Sequence, residues 1–271
     1  MVVQHNLQAM NSNRMLGLTS SSLSKSTEKL SSGYRVNRAA DDAAGLAISE
    51  KMRRQIRGLT QASRNAQDGI SMVQTAEGAL NEVHDMLQRM NELAVQAANG
   101  TNVASTDKHY IDLEVQQLKS EIDQVANNTT FNGLSLLKQE GKKITLQIGS
   151  EKGHEMTISL FALDTNGLKI QDVKVSTETD AQNAISTIKA AIGMLNEKRA
   201  TLGAFQNRLE HKIANLDNVV ENTTAAESRI RDTDMATEMV KYSNSNILQQ
   251  AGQAMLAQSN QANQGVLSLL G

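Results

Sequence analysis

The chain begins and ends with charge-poor segments in which apolar positions recur every seven residues. The N-terminal repeat comprises Val2, Ala9, Leu16, Leu23 and Leu30. The C-terminal repeat comprises Leu248, Met255, Ala262 and Leu269. No side chain between Ser243 and Gly271 is charged, although 21% of the residues in the whole chain are. A seven-residue repeat is typical of helices that pack along a seam, so we expect the two termini to pair as helices.

The interior of the chain carries three further helical periods. The first follows Asp41-Asp42, where carboxylates favour a helix start, and it ends at Asn99-Gly100. At 1.5 Å per residue this helix predicts a rod of roughly 85 Å. A second helix is predicted from Thr106-Asp107, and the last long helix from near Asp180. Their apolar steps of three and four residues indicate an elongated antiparallel bundle.

Two short segments near the middle of the chain alternate apolar and polar residues instead. The alternating apolar positions are Ile144, Leu146, Ile148, Met156, Ile158 and Leu160. The sequence SEKG separates the two runs, which predicts a hairpin near 143–161. The stretch TTFNG at 129–133 is predicted as a loop or turn, and 161–179 as irregular. The predicted fold class is therefore mainly α: an elongated antiparallel helical bundle or coiled coil with one small β-hairpin region and paired termini.

Composition narrows the classes of function. The chain has no Pro, Cys or Trp, and only 2% of its residues are aromatic. The lack of Pro suits long uninterrupted helices, and the lack of Cys excludes disulfides and cysteine nucleophiles. A net charge of −2 gives no electrostatic reason to expect nucleic-acid binding. No apolar run is long enough for membrane insertion, and the first residues do not have the pattern of a cleaved signal peptide.

Candidate catalytic and metal-binding motifs are weak. His154-Glu155 begins an HExxH pattern, but Ile158 stands where the second histidine would be. Asp41-Asp42 has the composition of an acid/base pair, although a helix start is the favoured interpretation. No glycine-rich phosphate loop is present. We therefore predict no enzyme activity, no cofactor and no metal site.

The uncharged termini indicate contacts with other protein. Their polar residues are Gln, Asn and Ser, which cost less to bury than an unpaired charge when they are hydrogen-bonded. Small residues such as Ala251, Gly252 and Ala254 allow neighbouring helices to approach closely. We expect both faces of each terminal segment to contact protein, which requires further copies of the chain. Two alternatives remain open: a disordered tail, since Gln/Asn/Ser-rich sequence is often disordered, and a simple dimeric coiled coil.

Two long blocks resemble the signature sequences of bacterial flagellins. They are RVNRAADDAAGLAISEKMRRQIRGL at 35–59 and ESRIRDTDMATEMVKYSNSNILQQAGQAMLAQSNQANQGVLSLLG at 227–271, and TTFNG is similar to a loop of the family. The resemblance implies an inner filament-core domain of paired terminal helices, residues 1–42 with 230–271. It also implies an outer helical-bundle domain, 43–229, in a minimal form without variable outer domains. The expected filament-core packing residues are Leu16, Leu23, Leu30, Leu248, Met255, Ala262, Val266 and Leu269.

This resemblance implies a secreted structural subunit that polymerises into the extracellular flagellar filament for motility. The implied partners are further copies of the chain, an export chaperone at the C-terminal segment, and the flagellar cap and junction proteins. The family is exported by a type III apparatus without cleavage. One departure is that 260–264 lacks the Pro common in the family, which leaves the packing of the final helix open. The alternative is a hook-filament junction protein or another coiled-coil adaptor that forms a discrete oligomer.

The segment LQRMNELAVQ at 87–96 resembles the part of flagellins that engages the vertebrate flagellin-sensing Toll-like receptor. The resemblance implies that Arg89, Leu93 and Glu114 bind the receptor. Asn91 stands where many members have Arg, so one basic contact is missing. The alternative interpretation is that Arg89 and Glu114 are ordinary solvated helix residues and Leu93 a packing residue.

Overall fold

A computed structural model of the chain describes residues 6–100 and 106–270, with side chains in those ranges as far as residue 262. These residues form α1 (Leu7–Ser32), α2 (Ala43–Ala98), α3 (Asp107–Asn128), β1 (Thr130–Phe131), β2 (Leu134–Ser135), β3 (Lys143–Gln147), β4 (Glu155–Ser159), α4 (Glu178–Arg231) and α5 (Met235–Leu270). The mainly helical class is confirmed. The predicted helix ends were also close, since α2 stops just before Asn99-Gly100 and α4 begins two residues before Asp180.

The chain folds as two compact units. Unit 1 comprises the described parts of 1–56 and 221–271, and unit 2 comprises those of 57–220. Unit 1 contains α1 and α5, which pack against each other. The predicted pairing of the two termini is therefore confirmed. The further prediction, that these regions act as the inner and outer domains of a filament, stays a prediction.

Unit 2 has an apolar core of the ordinary helical kind. Helices α2, α3 and α4 supply it together with the segment between β1 and α4. The largest fully buried side chains are Leu80, Leu87, Met90, Leu93, Ile122, Leu136, Leu137, Ile158, Leu163, Ile170, Ile188 and Leu195. Burying one Leu or Ile contributes about 1.5–3 kcal/mol relative to leaving it exposed. This unit can therefore be stable on its own apolar contacts.

The described residues contain two antiparallel two-stranded sheets, where the sequence predicted one hairpin. Strands β3 and β4 pair with Leu146 opposite Met156, which confirms the hairpin predicted near 143–161. Strands β1 and β2 pair across Asn132-Gly133. Both of these residues have positive φ, 49° and 77°, as a two-residue hairpin with a type I′ turn requires. The stretch predicted as a loop or turn is thus a tight hairpin.

The irregular segment between β4 and α4 is held against α3 by two carboxylates. Asp123 accepts hydrogen bonds from the Thr165 backbone N–H at 2.8 Å and from the Thr165 hydroxyl at 3.1 Å. Asp112 accepts one from the Val175 backbone N–H at 3.0 Å. Leu163 is fully buried nearby. Side chains of α3 therefore accept hydrogen bonds from backbone N–H groups of a segment that forms no helix or strand.

We expect Asp123→Ala to destabilise unit 2 by about 1–3 kcal/mol, because it leaves the Thr165 N–H without its acceptor. Chemical denaturation followed by circular dichroism measures the change in the free energy of unfolding. The matched control is Asp85→Ala, at an exposed position on α2, for which we expect a change within about 0.5 kcal/mol. Equal effects of the two substitutions would contradict the anchoring role of Asp123.

Candidate subunit interface

Helices α1 and α5 run antiparallel, and the residues between them are mostly small or polar. On α1 the buried and half-buried row is Ala9, Ser12, Leu16, Thr19, Leu23, Ser26 and Leu30. On α5 it is Glu238, Tyr242, Ser245, Gln249, Gly252, Leu256 and Ser259. Both rows advance by alternate steps of three and four residues, as in a coiled coil. We call these two rows the α1–α5 seam.

Hydrogen bonds join the two helices at both ends of the seam. Near one end, the Ser26 hydroxyl donates to Glu238 Oε1 at 2.6 Å. Near the other, the Asn6 side-chain amide donates to the Ser259 carbonyl oxygen at 3.2 Å. Such bonds fix the register of the pair, because a shift along the helix axis leaves these polar groups without partners.

Gly252 lies at a close contact between the two helices. A Cβ atom at this position would lie 3.3 Å from Leu16 Cδ1, tighter than an ordinary van der Waals contact. Because Gly252 has no side chain, the end of the Leu16 side chain packs against the backbone of α5. Small residues at a helix contact allow this short separation and leave room for few large side chains.

Glu238 is a charged group that the seam buries. The residue is 5% exposed, and its Oε2 lies 3.5 Å from the Lys241 ammonium group. The hydrogen bond from Ser26 is the largest influence that lowers the pKa of this carboxyl below its ordinary value, and the positive charge of Lys241 acts in the same direction. The carboxylate is therefore held ionised inside the seam.

The outer faces of α1 and α5 carry large apolar side chains. They are Leu7, Met10, Met15, Leu18, Met235, Met239, Val240, Ile247, Leu248 and Met255, each 47–71% exposed. We call them the outer apolar set. In contrast, Val36 is the one buried apolar residue among the described side chains of unit 1. Unit 1 therefore exposes many of the large apolar side chains of α1 and α5, which is typical of surfaces that contact other proteins.

The structure divides the predicted filament-core packing residues between the seam and the outer faces. The α1–α5 seam contains Leu16, Leu23 and Leu30, whereas Leu248, Met255 and Ala262 are exposed. Val266 and Leu269 belong to α5, but their side chains lie outside the described residues. That these positions pack within a filament stays a prediction.

Sequence reasoning identified Gly252 as a small residue at a close helix contact, but it missed the rest of the α5 side of the seam. The apolar repeat of Leu248 and Met255 predicts a packing face, but in the structure this face of α5 is exposed and does not contact α1. A second repeat of seven was present in Ser245, Gly252 and Ser259. Small polar residues at this spacing are the signal that would have identified the contact, since closely packed helices need small side chains where they meet.

Backbone hydrogen bonds close one end of unit 1. Helix α1 ends at Gly33, whose φ is 75°, the left-handed conformation that glycine adopts readily. The Thr233 N–H donates to the Gly33 carbonyl oxygen at 3.0 Å, and the Arg35 N–H donates to the Arg231 carbonyl oxygen at 2.7 Å. The break between α4 and α5, which the sequence analysis did not predict, is thus tied to the end of α1. Asp234 caps the helix that follows, accepting from the Ala236 N–H at 3.0 Å.

Arg231 joins three elements at this closure. Its guanidinium lies 4.6 Å from the centre of the Tyr34 ring, and its NH1 atom lies 2.7 Å from Glu50 Oε1 on α2. The Arg231 side chain is only 12% exposed. A cation over an aromatic face and a close carboxylate both stabilise a partly desolvated guanidinium, so this arginine is a structural residue of unit 1.

The predicted receptor-binding residues occupy different environments. Arg89 Nε lies 2.9 Å from Glu114 Oε1, which pairs α2 with α3 at the surface, and Arg89 NH1 lies 3.2 Å from Glu92. These carboxylates raise the pKa of Arg89. Leu93 is 2% exposed and belongs to the unit 2 core. The structure therefore brings Arg89 and Glu114 together at the surface and places Leu93 in the core.

Catalytic and metal-binding candidates gain no support from the described parts of the chain. Asp42 accepts a hydrogen bond from the Gly45 N–H at 2.8 Å, which confirms the helix-start interpretation of Asp41-Asp42. Within 6–100 and 106–270 no three His, Asp or Glu side chains gather as metal ligands. His154 is exposed. In the same ranges no helix combines the length and apolar character that crossing a bilayer requires.

We expect the α1–α5 pair to weaken in acid, and Glu238→Gln to reduce that weakening. Because the pKa of Glu238 is lowered in the folded chain, its stabilisation is present above the ordinary carboxyl value of 4.5 and is lost as the pH falls below it. Thermal unfolding followed by circular dichroism between pH 7 and pH 3 measures the effect. Glu221→Gln is the matched control, with the same charge change at an exposed position. An unchanged acid response in Glu238→Gln would contradict the assignment.

Comparisons with known proteins identify the family to which the chain belongs. Residues 3–142 match the bacterial flagellin N-terminal helical region and 185–270 match the bacterial flagellin C-terminal helical region. A flagellin of Halalkalibacterium halodurans is 53% identical, with both chains fully covered. The crystal structure of Bacillus cereus flagellin is similar with a TM-score of 0.51 and 39% identity, covering 56% of this chain and 88% of that one. A Vibrio parahaemolyticus chain assigned as a flagellar hook-associated protein shares the fold, with a TM-score of 0.61 at 12% identity, covering 71% of this chain and all of that one. The chain therefore belongs to the bacterial flagellin family, as a non-enzymatic structural subunit of the extracellular flagellar filament.

Proposed function

We propose that the outer apolar set is the surface through which copies of this chain assemble into the filament. The observation that carries the proposal is the contrast within unit 1. Ten large apolar side chains are exposed on α1 and α5, while Val36 is the one described apolar residue that is buried there. Contacts with neighbouring copies would give this unit the apolar core that one chain does not supply.

The same surface favours growth at an existing end. An outer face of one copy that contacts a different face of the next copy produces an open helical polymer when the rotation does not close. Each apolar side chain covered in that contact contributes about 1.5–3 kcal/mol. A single free partner covers few of them, whereas an ordered filament end covers many at once. Elongation on seeds is therefore favoured over spontaneous nucleation.

The alternative function is a hook-filament junction protein or another coiled-coil adaptor, which forms a discrete oligomer. The likeness to the hook-associated protein is one of fold alone, at 12% identity. The match to the flagellin of Halalkalibacterium halodurans covers both chains completely at 53% identity. These figures favour the filament subunit, and growth on seeds distinguishes the two functions directly.

We expect purified chain to elongate short filament seeds, and Leu248→Gln with Met255→Gln to slow elongation by roughly tenfold or more. Both side chains are more than half exposed, so their loss has little effect on the fold of the free subunit but removes apolar contact between copies. Electron microscopy of seeds after a fixed time measures filament length. Truncation after Ser243 removes most of α5, and we expect it to abolish growth.

The matched control is Leu134→Gln, at an exposed leucine on β2 outside the terminal helices. We expect this variant to elongate seeds at the rate of the parent chain, and circular dichroism to show the same helix content in all three full-length proteins. A parent chain that forms only discrete particles, with or without its C-terminal segment, would overturn the filament proposal and support the adaptor.

Further partners follow from the family resemblance. We propose that an export chaperone covers the C-terminal segment before assembly, and that cap and junction proteins contact the ends of the filament. Support for a chaperone comes from α5, where Ile247, Leu248 and Met255 are each more than half exposed in the free chain. An apolar helix face of this kind is suited to a hydrophobic groove in a partner.

We also propose that the Toll-like receptor that senses flagellin recognises this chain at the exposed Arg89–Glu114 pair. The two side chains are 51% and 45% exposed and offer opposite charges at one surface of α2 and α3. Leu93 is buried beneath the surface, so its contribution would be to hold α2 in place. In this proposal the receptor recognises the charges of Arg89 and Glu114, whereas Leu93 only packs. Exchanging the two charges tests the proposal.

We expect the double substitution Arg89→Glu with Glu114→Arg to weaken receptor binding by roughly tenfold or more, because it keeps an ion pair in the chain but presents the opposite charges to the receptor. Surface plasmon resonance with the purified receptor ectodomain measures the affinity. Exchange of a charge pair elsewhere, Arg38→Glu with Glu28→Arg in unit 1, is the control. Undiminished binding after the first exchange would exclude the pair as the recognition site.

A further inference from the structure

Among the described side chains, the methionines differ in exposure. Five are about half exposed or more, and all five belong to the outer apolar set: Met10, Met15, Met235, Met239 and Met255, at 47–64%. In unit 2 every methionine is buried or partly buried. The fully or nearly buried ones are Met72, Met90 and Met156. Five of the ten side chains in the outer apolar set are thus thioethers.

Among the described side chains, these five thioethers are the ones most open to mild oxidation. The chain has no Cys and no Trp, so no thiol or indole competes for an oxidant. Hydrogen peroxide transfers one oxygen atom to a thioether: the O–O bond breaks, an S=O bond forms, the sulfur loses two electrons and water leaves. The product, methionine sulfoxide, is polar and chiral.

We infer that the exposed methionines form a peroxide-sensitive element that decides whether the free subunit can assemble. This inference rests on the proposed assembly surface. A sulfoxide on that surface must lose its hydration when the next copy covers it, and an apolar contact offers no hydrogen-bond donor in return. Oxidised subunits are therefore excluded from the growing end. Within a filament the same sulfurs are covered, so assembly protects them.

The reaction is reversible, which distinguishes it from simple damage. Methionine sulfoxide reductases return each of the two sulfoxide epimers to the thioether. Since the affected residues lie on outer helix faces and outside the unit 2 core, oxidation leaves the fold of the subunit unchanged. A pool of oxidised subunits can therefore be restored to competence without unfolding.

The test compares seed elongation by untreated subunits, by subunits treated with hydrogen peroxide, and by treated subunits returned with both reductases. We expect treatment to slow elongation by at least roughly tenfold, and the reductases to restore it. Peptide mass spectrometry should find sulfoxide at the five exposed positions before it appears at Met72 or Met90. It should also find the five oxidised more slowly in preformed filaments than in free subunits.

The matched variant replaces all five exposed methionines with leucine, which conserves volume and apolar character. We expect it to elongate seeds and to be insensitive to peroxide. If the untreated parent chain does not elongate seeds, the proposed assembly function fails. If it elongates and the treated chain, with sulfoxide confirmed at the five positions, elongates equally well, only the oxidation inference is overturned. Recovery with the reductases tests the inference independently, should the leucine variant not fold.

Discussion

The close contact between α1 and α5 is the constraint from which the other properties of unit 1 follow. A seam in which small residues stand between leucines brings two helices near each other and holds only a narrow row of large side chains. The other large apolar residues of α1 and α5 lie on the outer faces. One chain holds its termini together through register-fixing hydrogen bonds, and its exposed apolar side chains form the surface proposed above for contacts with other copies. In that proposal, pairing within the subunit and association between subunits use different side chains.

The two units illustrate how similar helical sequences reach different states. Unit 2 has α2, α3 and α4 around a continuous apolar core, so that Leu80 and Leu195 are fully buried. Unit 1 has the α1–α5 pair, with the start of α2 and the end of α4 at the closure around Gly33 and Arg231. Two helices cannot surround an apolar core, since each has an outer face with nothing opposite it. The stability of unit 1 in the free chain thus depends on hydrogen bonds, the Arg231 contacts and a narrow row of half-buried side chains.

Most of the fold could be predicted from the sequence, because a long helix shows a regular apolar period and recognisable residues at its two ends. Asp42 and Asn99-Gly100 marked the limits of α2, and alternation marked β3 and β4. The partner that each helix face contacts was harder to predict than the helix itself. Leu248 and Leu23 both recur at sevens, but only Leu23 lies in the α1–α5 seam, because a repeat shows that positions share a face and does not show what the face contacts. Leu93 illustrates the same limit: its motif left open a receptor contact and a packing role, and the structure places it in the core. The short hairpin at Asn132-Gly133 was missed for another reason, since two-residue strands carry almost no alternation.

The pairing of α1 with α5 also determines the order in which the molecule can fold. The hydrogen bond between Ser26 and Glu238 joins positions 212 residues apart, and that between Asn6 and Ser259 joins positions 253 apart. Contacts of such large sequence separation form slowly, because the entropy of closing the intervening loop must be overcome first. Unit 2 consists of a continuous segment and can acquire its core early, which shortens the loop that remains to be closed. We therefore expect the pairing of α1 with α5 to be the last step in the folding of the subunit.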